Sequence, residues 1–318
     1  MSVMKGKQAV NLAMKEELRR DKSVYCIGED IGVYHQGNGL CGTSTGLLQE
    51  FGPERIVETP ISEGAIAGSS IGAAAFGMRP IAEIMHSEFL ATCAEHLLYG
   101  GSKFSINSNG IKVPMVIRTP CGGVDQNVPV QNENCEAWFG NTPGLKIVMP
   151  SCPYDAKGLL KASVRDDYPV LFFEHHGMYA MEQEVPEEDY VLPLGKAEIK
   201  KEGTDVTIIA YGYVVNTVLE AAKELEGKVS VEVIDLRTIR PYDREAVMAS
   251  VRKTGRAIVV YEGRRTGGYG AEIAAQIAED AFSALKAPVV REAGPDLTVN
   301  YPRTVEDIVH AVSKVAEI

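Results

Sequence analysis

A two-domain α/β fold is predicted for this chain, each domain with a mostly parallel sheet flanked by helices. Short β-rich apolar runs alternate with helical patterns, and the same rhythm restarts after an acidic, proline-bearing stretch. At 318 residues, 45% of them hydrophobic, the chain is long enough for two cores.

In the first half, "SVYCIGED", "RPIAEIM", "VPMVIRTP", "LKIVMPS" and "PVLFFE" read as strands, being short and rich in β-branched, aromatic or other apolar residues. Between them, "GKQAVNLAMKEELRRD", "GAIAGSSIGAAAFG" and "PYDAKGLLKASVRD" are helical candidates. Parallel strands need crossover connections, so the alternation implies a doubly wound layer. Residues 177–197, "GMYAMEQEVPEEDYVLPLGKA", are acidic, carry two prolines and show no period, so they read as a connection. The expected domains are therefore 1–180 and 198–318, joined by a linker at 181–197. Strands "DVTIIAYG", "VSVEVIDL" and "AIVVYEG" follow, with helices "NTVLEAAKELEG", "REAVMASVRK" and "AEIAAQIAEDAF". The apolar "PVVREAG" and the helical tail "TVEDIVHAVSKVAEI" end the chain.

The formal net charge of -11 argues against binding a nucleic-acid backbone. The start lacks the apolar core of a signal peptide, and charges interrupt every longer apolar run before spanning length, so a cytosolic protein without a membrane partner is expected. Six cysteines lie scattered without CxxC or CxxH spacing, which fits neither zinc nor a disulfide framework. Only His175 and His176 adjoin, and neighbours on a strand point to opposite faces, so a shared metal is not expected. The Gly-rich "EGRRTGGYGAE" follows a strand and opens a helix, but its spacing is not the dinucleotide fingerprint; a structural turn is favoured.

One stretch carries candidate chemistry. In "VETPISEGAIAGSSIGAAAFGMRP", Glu63 heads an uncharged run from Gly64 to Gly77 whose small side chains permit close backbone approach. Glu63 is either an acid complementing a helix N-terminus or a carboxyl tuned to exchange a proton, and pattern alone does not choose.

The succession "GEDIG", "FGPERIVETPISEGAIAG", "GMRPIAEIMHSEF", "EAWFGNTPGLKIVMPSCPYDAKGLLKASVRDDYPVLFFE" and "VIDLRTIRPYD" resembles, nearly end to end, the β subunit of the thiamine-diphosphate-dependent 2-oxo acid dehydrogenases. That family includes pyruvate, branched-chain and acetoin types. The resemblance implies a pyrimidine-binding domain with the thiamine-diphosphate-binding fold, followed by a transketolase C-terminal-like domain. It implies that Glu63 hydrogen-bonds N1′ of the cofactor's aminopyrimidine, which helps the neighbouring exocyclic nitrogen take the thiazolium C2 proton. It also places Phe89 against the pyrimidine, Ile61 in the apolar wall and Glu29 among the cofactor contacts.

The same resemblance assigns the diphosphate and its Mg2+ mainly to an α subunit, and no segment here resembles the "GDG…N" magnesium signature. A structural K+ is held in some members by carbonyls at positions matching Met115, Ser163, Val164, Asp166 and Tyr168. Two departures stand out: Gln131 and Asn141 occupy positions where the family commonly has histidines, and neither amide can titrate near neutral pH. An altered substrate, replacement by another residue such as His86, or weakened transfer would each account for Gln131, with the altered substrate ranked first.

The expected protein is thus the β half of an α2β2 decarboxylating component with a β–β contact. It would act on a 2-oxo acid, or cleave acetoin, and deliver an acyl group to a lipoyl acyltransferase core. A split transketolase-like carboligase and a non-catalytic assembly subunit are the alternatives.

Overall fold

A computed structural model describes residues 1–33, 39–123, 132–298 and 301–316. The chain divides into two compact α/β units, Met1–Cys121 with Asn141–Leu194, and Gly122–Gly140 with Gly195–Ile318.

The first unit is built on parallel strands β2 (Val24–Glu29), β3 (Ile56–Thr59), β4 (Arg79–Glu83), β5 (Val116–Cys121), β6 (Lys146–Val148) and β7 (Val170–His175). Their spatial order is β6-β7-β5-β4-β2-β3, every pairing parallel. β5 and β7 are buried along their whole length, which explains their continuous apolar runs. Helices α1 (Gly6–Arg20), α2 (Leu47–Phe51), α3 (Glu63–Ala75), α4 (Ser102–Asn107), α6 (Pro153–Arg165) and α7 (His176–Ala180) belong to this unit. In α1 the buried face is Ala9, Val10, Ala13, Met14 and Leu18, and Arg19 and Arg20 close its last turn, where basic charge suits the helix dipole. Pro153 opens α6, where no intrahelical N–H is needed. Gly6 is required at the head of α1, because a Cβ there would lie 2.1 Å from the Met178 carbonyl oxygen.

In this unit three short strands escape the sequence pattern. β3 is one; the others are β1 (Ser2–Lys5) and β8 (Glu182–Val185), which pair antiparallel with Ser2 opposite Val185. Of the four β8 residues only Val185 is buried, so the stretch expected to be a plain connection contains a strand that shows no apolar period.

The second unit carries the five-stranded order β14-β13-β10-β11-β9: β9 (Glu198–Lys201), β10 (Val206–Ala210), β11 (Val231–Asp235), β13 (Ala257–Arg264) and β14 (Val290–Gly294). β9 runs antiparallel to β11 at one edge. Also in this unit are α5 (Glu136–Phe139), α8 (Val214–Glu224), β12 (Thr238–Arg240), α9 (Arg244–Thr254), α10 (Gly270–Asp280) and α11 (Val305–Ala316). α8 and α11 lay Val215, Val218, Ile308 and Val312 against Ile208, Val233 and Val260 of the sheet. The Gly-rich loop is a turn: Cβ atoms at Gly268 and Gly270 would meet the Tyr261 ring at 2.5 and 2.1 Å, and Thr266 is tied to Asp296 through N (3.0 Å) and Oγ1 (2.6 Å).

Candidate active site

In an open parallel sheet, ligands bind where the strands end in carboxyl termini and the connections diverge. The first unit gathers its candidate residues at that edge. Glu29 closes β2, Thr59 closes β3, Glu83 closes β4 and His175 closes β7.

From Thr59 the chain passes through Pro60, Ile61 and Ser62 into α3, whose first residue is Glu63. The carboxylate therefore stands at a helix N-terminus, half-buried, with no hydrogen-bond or ion-pair partner among the described residues. Ile61 is 73% exposed, an apolar side chain with little to cover it. Phe89 lies half-buried in the 3-10 segment Ser87–Cys93, and the His86 ring stands edge-on to it, 5.7 Å between centroids. Glu63 also reaches this segment: burial, with the Glu63 charge adding to it, pushes the Cys93 thiol up to about 11. Helix α3 and the Phe89 segment thus place a carboxylate and an aromatic ring around one edge.

Glu29 lies opposite Thr59 in the register of β2 and β3, and the buried Thr59 Oγ1 has no hydrogen-bond partner among the described residues. These residues fit an aminopyrimidine ring: an unpaired carboxylate for a ring nitrogen, an aromatic face, an exposed aliphatic wall and an unmatched hydroxyl.

Beneath that edge sits a buried charge cluster that pattern reading did not single out. Arg118 of β5, 2% exposed, donates through Nε and Nη2 to both Glu174 oxygens at 2.7 and 2.8 Å, and through Nη1 to Glu83 at 2.7 Å. Burial opposes its charge, but Glu174 and Glu83 more than offset that, so its pKa is raised. The Tyr179 hydroxyl donates to Glu174 at 2.6 Å, and burial, reinforced by that carboxylate, raises the phenol well above its ordinary value. The signal was in the sequence: one charged residue in each of three otherwise apolar strands, "IAEI", "VIRT" and "LFFE".

Gln131 lies outside the described residues. The residues matched to potassium are described, and the carbonyls of Met115, Ser163, Val164 and Asp166 accept hydrogen bonds. Met115 O accepts from Val170 N at 2.9 Å, and Ser163 O from Asp166 N at 3.2 Å. Arg79 Nη1 donates to Val164 O at 2.9 Å and to Asp166 O at 2.8 Å. The exposed Tyr168 donates its backbone N–H to Asp166 Oδ1. His175 and His176 do not share a metal-type cluster: among the described residues no group of three or more His, Cys, Asp or Glu side chains could hold a metal ion. None of the six cysteines, all described, forms a disulfide. No described helix is long and apolar enough to cross a membrane.

The transketolase pyrimidine-binding domain family matches residues 3–182, and the transketolase C-terminal domain family matches residues 195–312. The 2-oxoisovalerate dehydrogenase subunit beta of Bacillus subtilis (strain 168) is 47% identical over 310 residues, covering 96% of this chain and 94% of that protein. A pyruvate dehydrogenase E1 component subunit beta from Staphylococcus epidermidis is 44% identical over 307 residues, covering 96% of this chain and 93% of that one. Among solved structures, a split-gene transketolase described as an inactive beta4 tetramer superposes with a TM-score of 0.81 at 23% identity, covering 98% of each chain. Transketolase from Leishmania mexicana covers the whole chain with 46% of its own, at a TM-score of 0.72 and 14% identity. With both of its domains matched and such identity to curated relatives along nearly its full length, this chain belongs to the family of 2-oxo acid dehydrogenase beta subunits built on transketolase-type domains.

Proposed function

We propose that this chain is the β subunit of the decarboxylating component of a 2-oxo acid dehydrogenase complex, supplying the pyrimidine side of a thiamine diphosphate site that an α subunit completes. The observation that carries this is Glu63, an unpartnered carboxylate at the head of α3, on the same edge as Phe89 and Ile61. Glu63 would hold a proton at pyrimidine N1′, Phe89 and Ile61 would orient the ring and exclude water, and Glu29 would line the same edge. Bound thiamine diphosphate would supply the carbon nucleophile that attacks the oxo carbon of the substrate.

Diphosphate and Mg2+ are assigned to the α subunit, and the product acyl group to a lipoyl acyltransferase. At the potassium-matched carbonyls the Arg79 guanidinium already supplies positive charge to Val164 O and Asp166 O, so no K+ is included in the proposal. The substrate class is a 2-oxo acid, with pyruvate, branched 2-oxo acids and acetoin as the compounds to compare. α3 offers a surface for assembly: Ala65, Ser69, Gly72 and Phe76 are exposed at helical spacing along one stripe.

The test uses the co-purified α/β complex. Glu63→Gln removes the titrating carboxyl while keeping its shape, so C2-proton exchange of bound cofactor should fall by at least about 100-fold with complex assembly unchanged. Exchange at the wild-type rate would refute the role. Assay against 2-oxo acids, acetoin and sugar phosphates with an artificial electron acceptor then separates dehydrogenase from carboligase chemistry.

A further inference from the structure

Five histidines are described, and four have evident structural settings. His96 packs beside Gly64 and Gly68 of α3. His175 Nδ1 accepts from Gly177 N at 2.9 Å, His176 Nδ1 stands 3.7 Å from Cys41 Sγ, and His310 is exposed on α11 in the second unit. His86 differs. It is 9% exposed, and its ring makes no hydrogen bond to a described residue, the buried Nδ1 included, whereas His175 and His176, whose Nε2 atoms are also buried and unmatched, are held through Nδ1.

Its position is equally specific. His86 follows the carboxyl end of β4 by three residues and precedes Phe89 by three, with its ring edge-on to that phenylalanine. Leaving a buried ring nitrogen unmatched is destabilising, and a ligand atom bonded to it would relieve that penalty. The nearby acid Glu83 is held by Arg118, so it supplies no counter-ion to the imidazole. Nδ1 is covered in the unliganded chain, so the contact requires the ring to turn toward this edge, where an anion would find an uncommitted donor; a charge-assisted bond from imidazolium to carboxylate is the strong form of that contact.

We propose that His86 binds the carboxylate of the 2-oxo acid substrate, donating from Nδ1 at the carboxyl edge of the sheet beside Phe89. This rests on the function proposed above. Around it stand His176 at 6.2 Å between rings, Cys41 with its Sγ 3.7 Å from His176 Nδ1, Tyr179 edge-on to His176, Glu88 two residues on, and the Glu83–Arg118 ion pair. A carboxylate bound at His86 favours the imidazolium, so substrate binding strengthens below the imidazole midpoint and weakens above it.

The experiment uses the co-purified α/β complex with 15N-labelled histidine, His86 being assigned by the signal lost in His86→Asn. Adding pyruvate or 3-methyl-2-oxobutanoate to the cofactor-free complex, where neither is consumed, should raise the His86 midpoint by about one pH unit, the linkage expected for a roughly tenfold affinity ratio between protonated and neutral forms. Thiamine diphosphate alone should leave it in place. In steady state, His86→Asn should raise KM about tenfold at pH 6 and flatten its rise with pH, with kcat within about threefold of wild type, because a ground-state contact is removed. His86→Phe should reproduce the flat profile, which separates the contact from packing. An unmoved His86 signal, or a KM–pH profile in His86→Asn parallel to wild type, overturns the proposal. If no 2-oxo acid turns over but the His86 midpoint still rises, the dehydrogenase function falls and the carboxylate contact stands. Turnover with a motionless His86 means the reverse.

Discussion

At the scale of the residue, burial decides what a side chain can do, and Glu136 shows how far. It lies fully buried on α5, accepts from Tyr211 OH at 3.1 Å through Oε1, and has no partner for Oε2. Burial, with Glu262 adding to it, pushes its carboxyl from 4.5 up to about 7. An acid raised in the folded state keeps its proton where the unfolded chain has lost it, so folding is favoured less as pH climbs from about 4.5 to about 7 and levels off above, a change on the order of 3 kcal/mol. Glu136→Gln keeps an acceptor for Tyr211 and removes the charge. Its denaturation midpoint should match wild type near pH 4.5 and exceed it near pH 8; equal shifts at both pH values would show that the ionised form is not the strained one. None of this was visible in "EAWF", where the glutamate serves only as a landmark of resemblance, because burial depends on contacts distant in sequence. Glu63 was likewise ambiguous from pattern, and its proposed role comes from the resemblance rather than from the residue's own surroundings.

At the scale of the element, the sequence was legible where a strand or helix lies wholly inside or shows one apolar face. β5, β7, β10 and β13 are nearly continuous apolar runs because both faces are covered, and α1, α8 and α11 repeat their buried residues at helical spacing. β1, β3 and β8 mix burial classes and were missed. α3 is a third case, uncharged after its first residue, so composition forecast close packing without naming the neighbour. That neighbour is the π-helical turn His96–Gly101: a Cβ at Gly68 would sit 3.2 Å from His96 Cε1, and one at Gly100 would sit 3.1 Å from Ile71 Cδ1. Gly72 has no atom within 4 Å of where its Cβ would be. Two substitutions should therefore diverge. Gly72→Ala should stabilise the full chain by about 0.5–1 kcal/mol through helix propensity. Gly68→Leu must push α3 away from the turn, destabilising by about 1–3 kcal/mol and displacing Glu63 at the end of the same helix. Thermal unfolding, with cofactor binding measured in the assembled complex, distinguishes them; a Gly68→Leu chain as stable as wild type would mean that His96 swings aside.

At the scale of the whole molecule, a pyrimidine-side subunit needs a surface on which its partner can close. Such a surface carries exposed apolar side chains that a lone chain gains nothing from. Phe76 is 95% exposed at the end of α3, in line with exposed Gly72, Ser69 and Ala65, and Ile61 is exposed just before the helix starts. The stripe therefore runs from the Glu63 end of α3 to its other end, so a partner seated along it would also border the edge proposed to bind the pyrimidine. Substitution at so exposed a site barely changes folding, typically by under about 0.5 kcal/mol, whereas a charge buried in an interface is strongly disfavoured. Phe76→Glu should thus leave the melting temperature of the full chain unaltered while lowering co-purification with the α subunit by at least about tenfold, the loss expected for 1.4 kcal/mol or more at an interface. Gly72→Trp, which adds bulk at the centre of the stripe, should act in the same direction. Sedimentation of the mixed subunits measures both, and undiminished assembly by the pair of variants would move the interface to another face of the chain.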